Sequence, residues 1–159
     1  MVRSGFGWRF EVTDPATGEV IGDAPDGTAE DAVRAVEAAD RAFAGWSTTT
    51  AKERADLLYA AWQLMNDRAE SLAELMTREQ GKPLRASRNE VAYAGDFLRF
   101  YAEEATRVTG EWLRQRGRPT ILGAPTTVGV VGMVTPWNYP ISMLTRRWVL
   151  LSPRVARSC

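Results

Sequence analysis

Histidine is absent from this chain of 159 residues, and the only cysteine is the last residue, Cys159. The lack of histidine removes the commonest general base and one of the commonest metal ligands of proteins. A single cysteine excludes an intrachain disulfide and any cysteine-rich zinc site. We therefore expect no metal site, and any acid–base chemistry has to use other groups.

Long apolar runs and an excess charge are also lacking. No apolar run approaches the roughly 18 residues of a membrane span, and residues 1–8 lack the apolar segment of a secretory signal. The 20 basic and 20 acidic residues give a net charge of zero, so no uniform field draws the protein to nucleic acid. We expect a cytoplasmic protein that binds neither membranes nor nucleic acid.

The most informative stretch is the apolar run Val128–Val134, which stops at the polar, proline-bracketed segment Thr135–Pro140. A short run rich in β-branched residues is typical of a strand buried on both faces of a parallel sheet. Ligands of open α/β sheets bind beyond the carboxyl ends of the strands. Trp137 and Asn138 are thus predicted to lie where such sheets usually carry their chemistry.

Two helices are predicted from their capping boxes, in which Thr28 precedes Asp31 and Thr50 precedes Glu53 by three residues. Each box is followed by apolar residues at helical spacing. These are Ala32, Val36, Ala39 and Phe43 in the first helix and Leu58, Ala61, Trp62 and Met65 in the second.

Two further helices follow. Asn66 or Asp67 can cap the third, and Gly81 offers its C-terminal turn. The fourth is predicted from Pro83 to about Thr109, on a stripe that comprises Val91, Ala94, Leu98, Tyr101, Ala105 and Val108. A stripe this short indicates a helix packed on its own domain rather than a coiled coil.

Extended segments flank the helices. Trp8–Val12 alternates polar and apolar residues, and Glu19–Gly22 can return as its hairpin partner after the turn at Asp14–Gly18. Glu111–Arg118 and Thr120–Thr127 are predicted to form a protruding ribbon.

Four motifs resemble, in the same order, motifs of the NAD(P)-dependent aldehyde dehydrogenases. They are Asp14–Ile21, Glu79–Pro83, Phe97–Ala102 and Thr135–Pro140, the last read as Thr-Pro-Trp-Asn-Tyr-Pro. The resemblance is closest to the succinate-semialdehyde dehydrogenase branch. It covers roughly residues 14–147.

The resemblance implies an α/β fold, as the truncated N-terminal part of an aldehyde dehydrogenase. The expected parts are a hairpin, a four-helix layer, the protruding ribbon and the first strand of a Rossmann-like parallel sheet. Residues 1–147 would then be a partial NAD(P)-binding domain, and about 111–127 would begin the ribbon through which family members form homo-oligomers. In the residues themselves, no second strand–helix unit is visible after Pro140.

The resemblance also implies the site. Members oxidise a small aldehyde to a carboxylic acid with NAD or NADP, and Asn138 matches the residue whose side-chain amide donates to the oxyanion. Thr135, Pro136 and Trp137, together with Asn138, would line the cofactor cleft. From the residues alone, Asn138 is equally well interpreted as a helix N-cap or turn residue, and Trp137 as a packing aromatic.

Other chemical groups are interpreted as structural. Lys82 lacks the glycine pattern of a phosphate loop and is predicted to lie on the surface, and Glu79 and Glu90 are predicted to be solvated helix residues. Cys159 lacks the rigid, cationic setting of a nucleophile.

The family's nucleophilic cysteine, catalytic glutamate and ribose-binding lysine are absent from this sequence. We therefore expect a fragment that is inactive alone. The alternative is a non-catalytic module whose long helix and ribbon bind a full-length relative or another protein.

The resemblance ends abruptly after Arg147, and four arginines with no acidic residue lie among residues 146–159. A solvated tail is the ordinary interpretation of such a run. Residues 148–156 can be written back into codons, which begin with TGG for Trp148. If one C is restored before this TGG, the reading frame shifts, and the shifted codons permit Leu-Gly-Pro-Ala-Leu-Ala-Ala-Gly-Cys. The family continues with a helix of that type, so residues 148–159 are predicted to be a frameshifted tail.

Reading the nucleotide sequence tests this prediction. We expect the restored frame to continue into the cofactor lysine, the catalytic glutamate and the nucleophilic cysteine. Downstream DNA without these codons would contradict a frameshift.

Overall fold

The computed structural model describes residues 9–114, 117, 121–123, 126–151 and 156–158. Trp8, Cys159 and parts of the predicted ribbon lie outside these residues. In chain order the elements are β1 (Arg9–Thr13), β2 (Val20–Pro25), α1 (Ala29–Ser47), α2 (Ala51–Asp67), α3 (Ala69–Gln80), α4 (Leu84–Glu104), a 3₁₀ turn (Ala105–Arg107), β3 (Glu111–Leu113), β4 (Ile121–Gly123), β5 (Gly129–Val131), α5 (Pro140–Leu151) and β6 (Ala156–Ser158).

The predicted N-terminal hairpin is confirmed as the antiparallel pair β1–β2, in which Val12 lies opposite Gly22. Its turn closes through a hydrogen bond from the amide of Gly18 to the carbonyl of Asp14, at 2.7 Å. Gly18 has a φ of 76°, a conformation that glycine adopts without steric cost.

Both predicted capping boxes are confirmed at the starts of α1 and α2. In the second, the amide of Glu53 donates to Thr50 Oγ1 at 3.2 Å, and the amide of Thr50 donates to the Glu53 carboxylate at 2.7 Å. The hydrogen bond from the Thr50 backbone holds the pKa of Glu53 below its ordinary value. The cap predicted for α3 is wrong, because α2 runs through Asp67 and Arg68 precedes α3 without a side-chain cap.

The core lies along α4. One buried cluster joins α2, α4 and α5 through Leu58, Leu98, Ala102 and Val149, and a second joins α3 to α4 through Ala73, Met76 and Val91. The long helix therefore packs within its own domain, as predicted. Val108 is 40% exposed, because the helix ends before it and the chain leaves the bundle.

Helix α1 departs from the prediction, since none of its residues is buried. Ala39 and Phe43 are half-buried, whereas Ala32 and Val36 of the predicted stripe are exposed. Among the described elements α1 contacts chiefly β5 and β6, and these short strands cover only part of its apolar face.

The ribbon is present as the antiparallel pair β3–β4, which is shorter than the predicted segments in the part of the chain that is described. Trp112 lies opposite Leu122, and the two side chains are 71% and 77% exposed. The ribbon therefore presents large apolar side chains to its surroundings.

The strand predicted over 128–134 is confirmed only over Gly129–Val131, as β5. Its expected burial is wrong, since Val128 is 72% exposed and Val134 is 95% exposed. Within the described residues β6 is the one strand that pairs with β5, so no layered sheet covers both faces.

A helix and a short strand follow β5 within the described residues. α5 follows β5, and β6 pairs with β5 in parallel, so the three elements form a strand–helix–strand crossover. Helix α5 continues through Arg147 without a break, and its residue Val149 is completely buried.

None of the helices in the described ranges is long and apolar enough to cross a membrane.

Candidate active site

The loop of residues 132–139 joins the carboxyl end of β5 to α5 and contains all four predicted site residues. Thr135 is half-buried, whereas Pro136, Trp137 and Asn138 are exposed. Trp137, at 82% exposed, does not pack into the core of the described residues. The position of the loop agrees with the rule that ligands bind beyond strand ends, and its binding of a cofactor stays a prediction.

Asn138 is not the helix N-cap. The first intrahelical bond of α5 runs from the amide of Met143 to the carbonyl of Tyr139 at 3.0 Å, so Tyr139 occupies the capping position. Across the described parts of the chain, the Asn138 side chain takes part in no hydrogen bond. Its amide group is therefore available to donate to a ligand.

The backbone of this loop is held by the segment that ends α3. Gln80 Nε2 donates to the carbonyl of Trp137 at 2.5 Å, and Lys82 Nζ donates to the carbonyl of Asn138 at 3.0 Å. The Lys82 ammonium also lies 4.8 Å from the ring centroid of Tyr139. A cation at this distance from an aromatic face is attracted to it, so Lys82 contacts the loop at two consecutive residues.

Glu90 of α4 holds the start of α5. Its Oε1 accepts from the amides of Ile141 and Ser142 at 3.1 and 3.3 Å, and its Oε2 accepts from Lys82 Nζ at 2.6 Å. Pro140, at the first helical position, has no amide to satisfy. The Tyr139 side chain cannot accept hydrogen bonds from the first amides of α5 as a short capping side chain does, so the Glu90 carboxylate accepts them instead. The dipole of α5 also favours a negative charge at this end of the helix.

The predictions for Lys82 and Glu90 are therefore wrong. The Glu90 side chain is 1% exposed and that of Lys82 is 17% exposed, so the pair is largely shielded from water. A signal was present in the sequence, because Glu90 lies one residue before Val91 and four before Ala94, on the buried face of α4. Glu79 is exposed, as predicted.

A groove runs between α4 and the loop. The first part of the groove has a volume of about 430 Å³, and its lining includes Lys82, Glu90 and Asn138. The second part has a volume of about 200 Å³, and its lining includes Ser142, Met143 and Arg146. Tyr93 and Tyr139 line both parts. The two cavities therefore adjoin, with Asn138 bordering one and Arg146 bordering the other.

Sequence reasoning missed Arg146, which it counted among the arginines of a solvated tail. Met143 and Arg146 lie three residues apart on one face of α5, and Tyr139, in the capping position, lines the same cavity. Arg146 Nη2 approaches Met143 Sδ at 3.5 Å.

The described residues contain no cluster that could hold a metal ion.

Comparison with known proteins places these features in a family. The aldehyde dehydrogenase family model matches residues 3–151. Glutarate-semialdehyde dehydrogenase of Pseudomonas putida is 44% identical over 157 residues, covering 96% of this chain and 32% of that protein. The chain thus spans about a third of the length of the curated relatives it matches.

Solved structures agree. The crystal structure of succinate-semialdehyde dehydrogenase from Burkholderia pseudomallei matches with a TM-score of 0.88 and 38% identity, over 96% of this chain and 33% of that one. NADP-dependent glyceraldehyde-3-phosphate dehydrogenase from Bacillus halodurans, complexed with NADP, matches with a TM-score of 0.90 and 30% identity, over 96% and 33%. This chain belongs to the aldehyde dehydrogenase family.

Proposed function

We propose that this chain carries the oxyanion-binding asparagine and part of the substrate groove of an NAD(P)-dependent semialdehyde dehydrogenase. The observation that supports this proposal is the two-part groove. Asn138 lines one part, Arg146 lines the other, and Tyr93 and Tyr139 line both.

Asn138 is the proposed catalytic residue. Attack of a thiolate on an aldehyde carbonyl places negative charge on the carbonyl oxygen. An amide NH₂ fixed beside that oxygen donates to the developing charge without reorganisation, and removal of one such donor typically lowers kcat by about 10²- to 10³-fold. The Asn138 backbone is held by Lys82, and its side chain has no competing hydrogen bond among the described residues, which suits this role.

Arg146 is the proposed binding group for the far end of the substrate. A semialdehyde carries a carboxylate at the end opposite its carbonyl. Relatives named for glutarate and succinate semialdehydes match this chain, and a guanidinium suits a carboxylate because it can donate two parallel hydrogen bonds. The aliphatic part of the substrate would contact Tyr93 and Met143.

The residues of the loop fit one wall of a dinucleotide site. Thr135, Pro136 and Trp137 follow the carboxyl end of a parallel strand, and Trp137 offers an exposed aromatic face. We propose that these residues and Asn138 border NAD or NADP, whose nicotinamide supplies the hydride acceptor when bound.

We propose that residues 1–147 are a partial NAD(P)-binding domain and that about 111–127 begin the oligomerisation ribbon. Residues 148–159 are proposed to arise from a shifted frame. The apolar residues Trp148–Leu151 are compatible with the continued helix α5, whatever their origin.

A second candidate is a non-catalytic interaction module. The observation that favours it is the exposure of Trp112 and Leu122 on the β3–β4 ribbon, which offers an apolar surface to a full-length relative or another protein. In that case the groove residues would have no catalytic role.

The isolated chain is expected to oxidise no aldehyde, since its sequence offers no suitably placed thiol nucleophile. The measurement is NAD(P)H formation by purified protein with succinate semialdehyde, glutarate semialdehyde and pentanal. Turnover above a protein-free blank that Asn138→Ala abolishes would contradict this expectation.

A chimera tests the proposed roles directly. Residues 1–147 are joined to the remaining two thirds of the Pseudomonas putida glutarate-semialdehyde dehydrogenase, and kcat and KM are measured for glutarate semialdehyde. We expect Asn138→Ala to lower kcat by about 10²- to 10³-fold. We expect Arg146→Ala to lower kcat/KM by about 10- to 100-fold, because a charged hydrogen bond is lost.

The controls separate the two candidates. Pentanal has the same chain length without the carboxylate, so its kcat/KM should hardly change in Arg146→Ala. Arg99→Ala, which removes an exposed arginine of α4 outside the groove, should leave both substrates unaffected. A folded chimera whose rate is indifferent to Asn138→Ala would favour the interaction module.

A further inference from the structure

Residues Trp137–Ser142 are held by three side chains from outside the loop, those of Gln80, Lys82 and Glu90. We propose that the Lys82–Glu90 pair is a positioning device that fixes Asn138 for oxyanion binding. The inference rests on the proposed role of Asn138, and it adds two residues that act through the backbone rather than on the substrate.

The two charged groups contact the loop on opposite sides of Tyr139. The Lys82 ammonium donates to the carbonyl of Asn138, and the Glu90 carboxylate accepts from the amides of Ile141 and Ser142. The ammonium and the carboxylate are also bonded to each other at 2.6 Å. Together they fix the Asn138 carbonyl relative to the first turn of α5, and thereby the direction in which the Asn138 side chain leaves the backbone.

Shielding from water makes these contacts effective. The Glu90 side chain is 1% exposed, so water competes little for either of its oxygens. Electrostatic interactions are stronger in such surroundings than at an exposed surface. Loss of Lys82 leaves Glu90 as a shielded carboxylate held only by the two amides, and loss of the Glu90 charge leaves the Lys82 ammonium without its ionic partner; both changes are unfavourable.

The chemistry of the two positions is not interchangeable. A carboxylate can accept from the helix amides but cannot donate to the Asn138 carbonyl, and an ammonium has the opposite limitation. Exchange of the two residues therefore preserves an ion pair while it removes every backbone contact. The exchanged variant therefore distinguishes two roles of the pair, namely positioning of the backbone near Asn138 and simple cross-linking of the helices by an ion pair.

The test uses the full 159-residue chain, labelled with ¹⁵N and without substrate or cofactor. Native-state amide exchange is measured at Ile141 and Ser142, and the side-chain NH₂ resonances of Asn138 are followed. The single variants are Lys82→Met, which keeps the aliphatic stem, and Glu90→Gln, which keeps the shape. The charge-exchanged variant is Lys82→Glu/Glu90→Lys.

We expect Glu90→Gln to speed exchange at Ile141 and Ser142 by about tenfold or more, since the acceptor of their hydrogen bonds loses its charge and the bonds weaken. Lys82→Met should shift the Asn138 NH₂ resonances. The charge-exchanged variant should restore neither property. Glu70→Gln breaks the exposed pair of Glu70 with Arg88 between α3 and α4, so it serves as the matched control and should leave both readouts unchanged.

Restoration of both readouts by the charge-exchanged variant would overturn the proposal, because the pair would then act only as a helix cross-link. Unchanged readouts in the single variants that fold would overturn it as well. If one single variant fails to fold, the other and the exchanged pair decide. The readouts need no turnover, so a failure of the proposed function would appear in the chimera and not here.

Discussion

The ion pair between Lys82 and Glu90 connects the end of α3 and the start of α4 to a loop and helix that lie more than 45 residues further along the chain. Lys82 follows α3 and binds the loop at the carbonyl of Asn138. Glu90 lies on the buried face of α4 and accepts from the amides of the first turn of α5. An unpaired charge at either position would be costly, so the two side chains constrain each other. The pair therefore constrains the end of the loop after β5 and the start of α5.

Helix α4 belongs both to the core and to the surroundings of the candidate site. α4 supplies both the Leu98 core contact and the Glu90 carboxylate, so the same helix that stabilises the bundle also holds the first turn of α5. The loop itself is exposed, and its Asn138 amide stays available for a ligand. A rigid scaffold beneath a polar loop is the usual arrangement for a site whose donors must be fixed before charge develops.

Sequence patterns predicted the features governed by local rules. Thr28 and Thr50 with their acidic partners defined two helix starts, and the spacing of Val91, Ala94 and Leu98 defined the buried face of α4. The position of Asn138 followed from the end of an apolar run. These predictions needed only hydrogen bonds and periodicities within a few residues.

The misses depended on partners far along the chain. Glu90 has the appearance of a solvated helix acid until the amides of α5, about 50 residues later, supply its partners. The burial expected for Val128 and Val134 needed neighbouring strands, and the described residues provide β6 alone. Arg146 joined the groove only once α5 was known to be a helix, because helical spacing places it on one face with Met143.

A double-mutant cycle on the free energy of unfolding tests the central claim most directly. Lys82→Met, Glu90→Gln and the double variant are unfolded in urea, beside a matched cycle for Arg88 and Glu70. The structure predicts a coupling energy of about 2 kcal/mol or more for the shielded pair and a clearly smaller one for the exposed pair. Additive effects at Lys82 and Glu90, with no coupling beyond that of the exposed pair, would contradict the account.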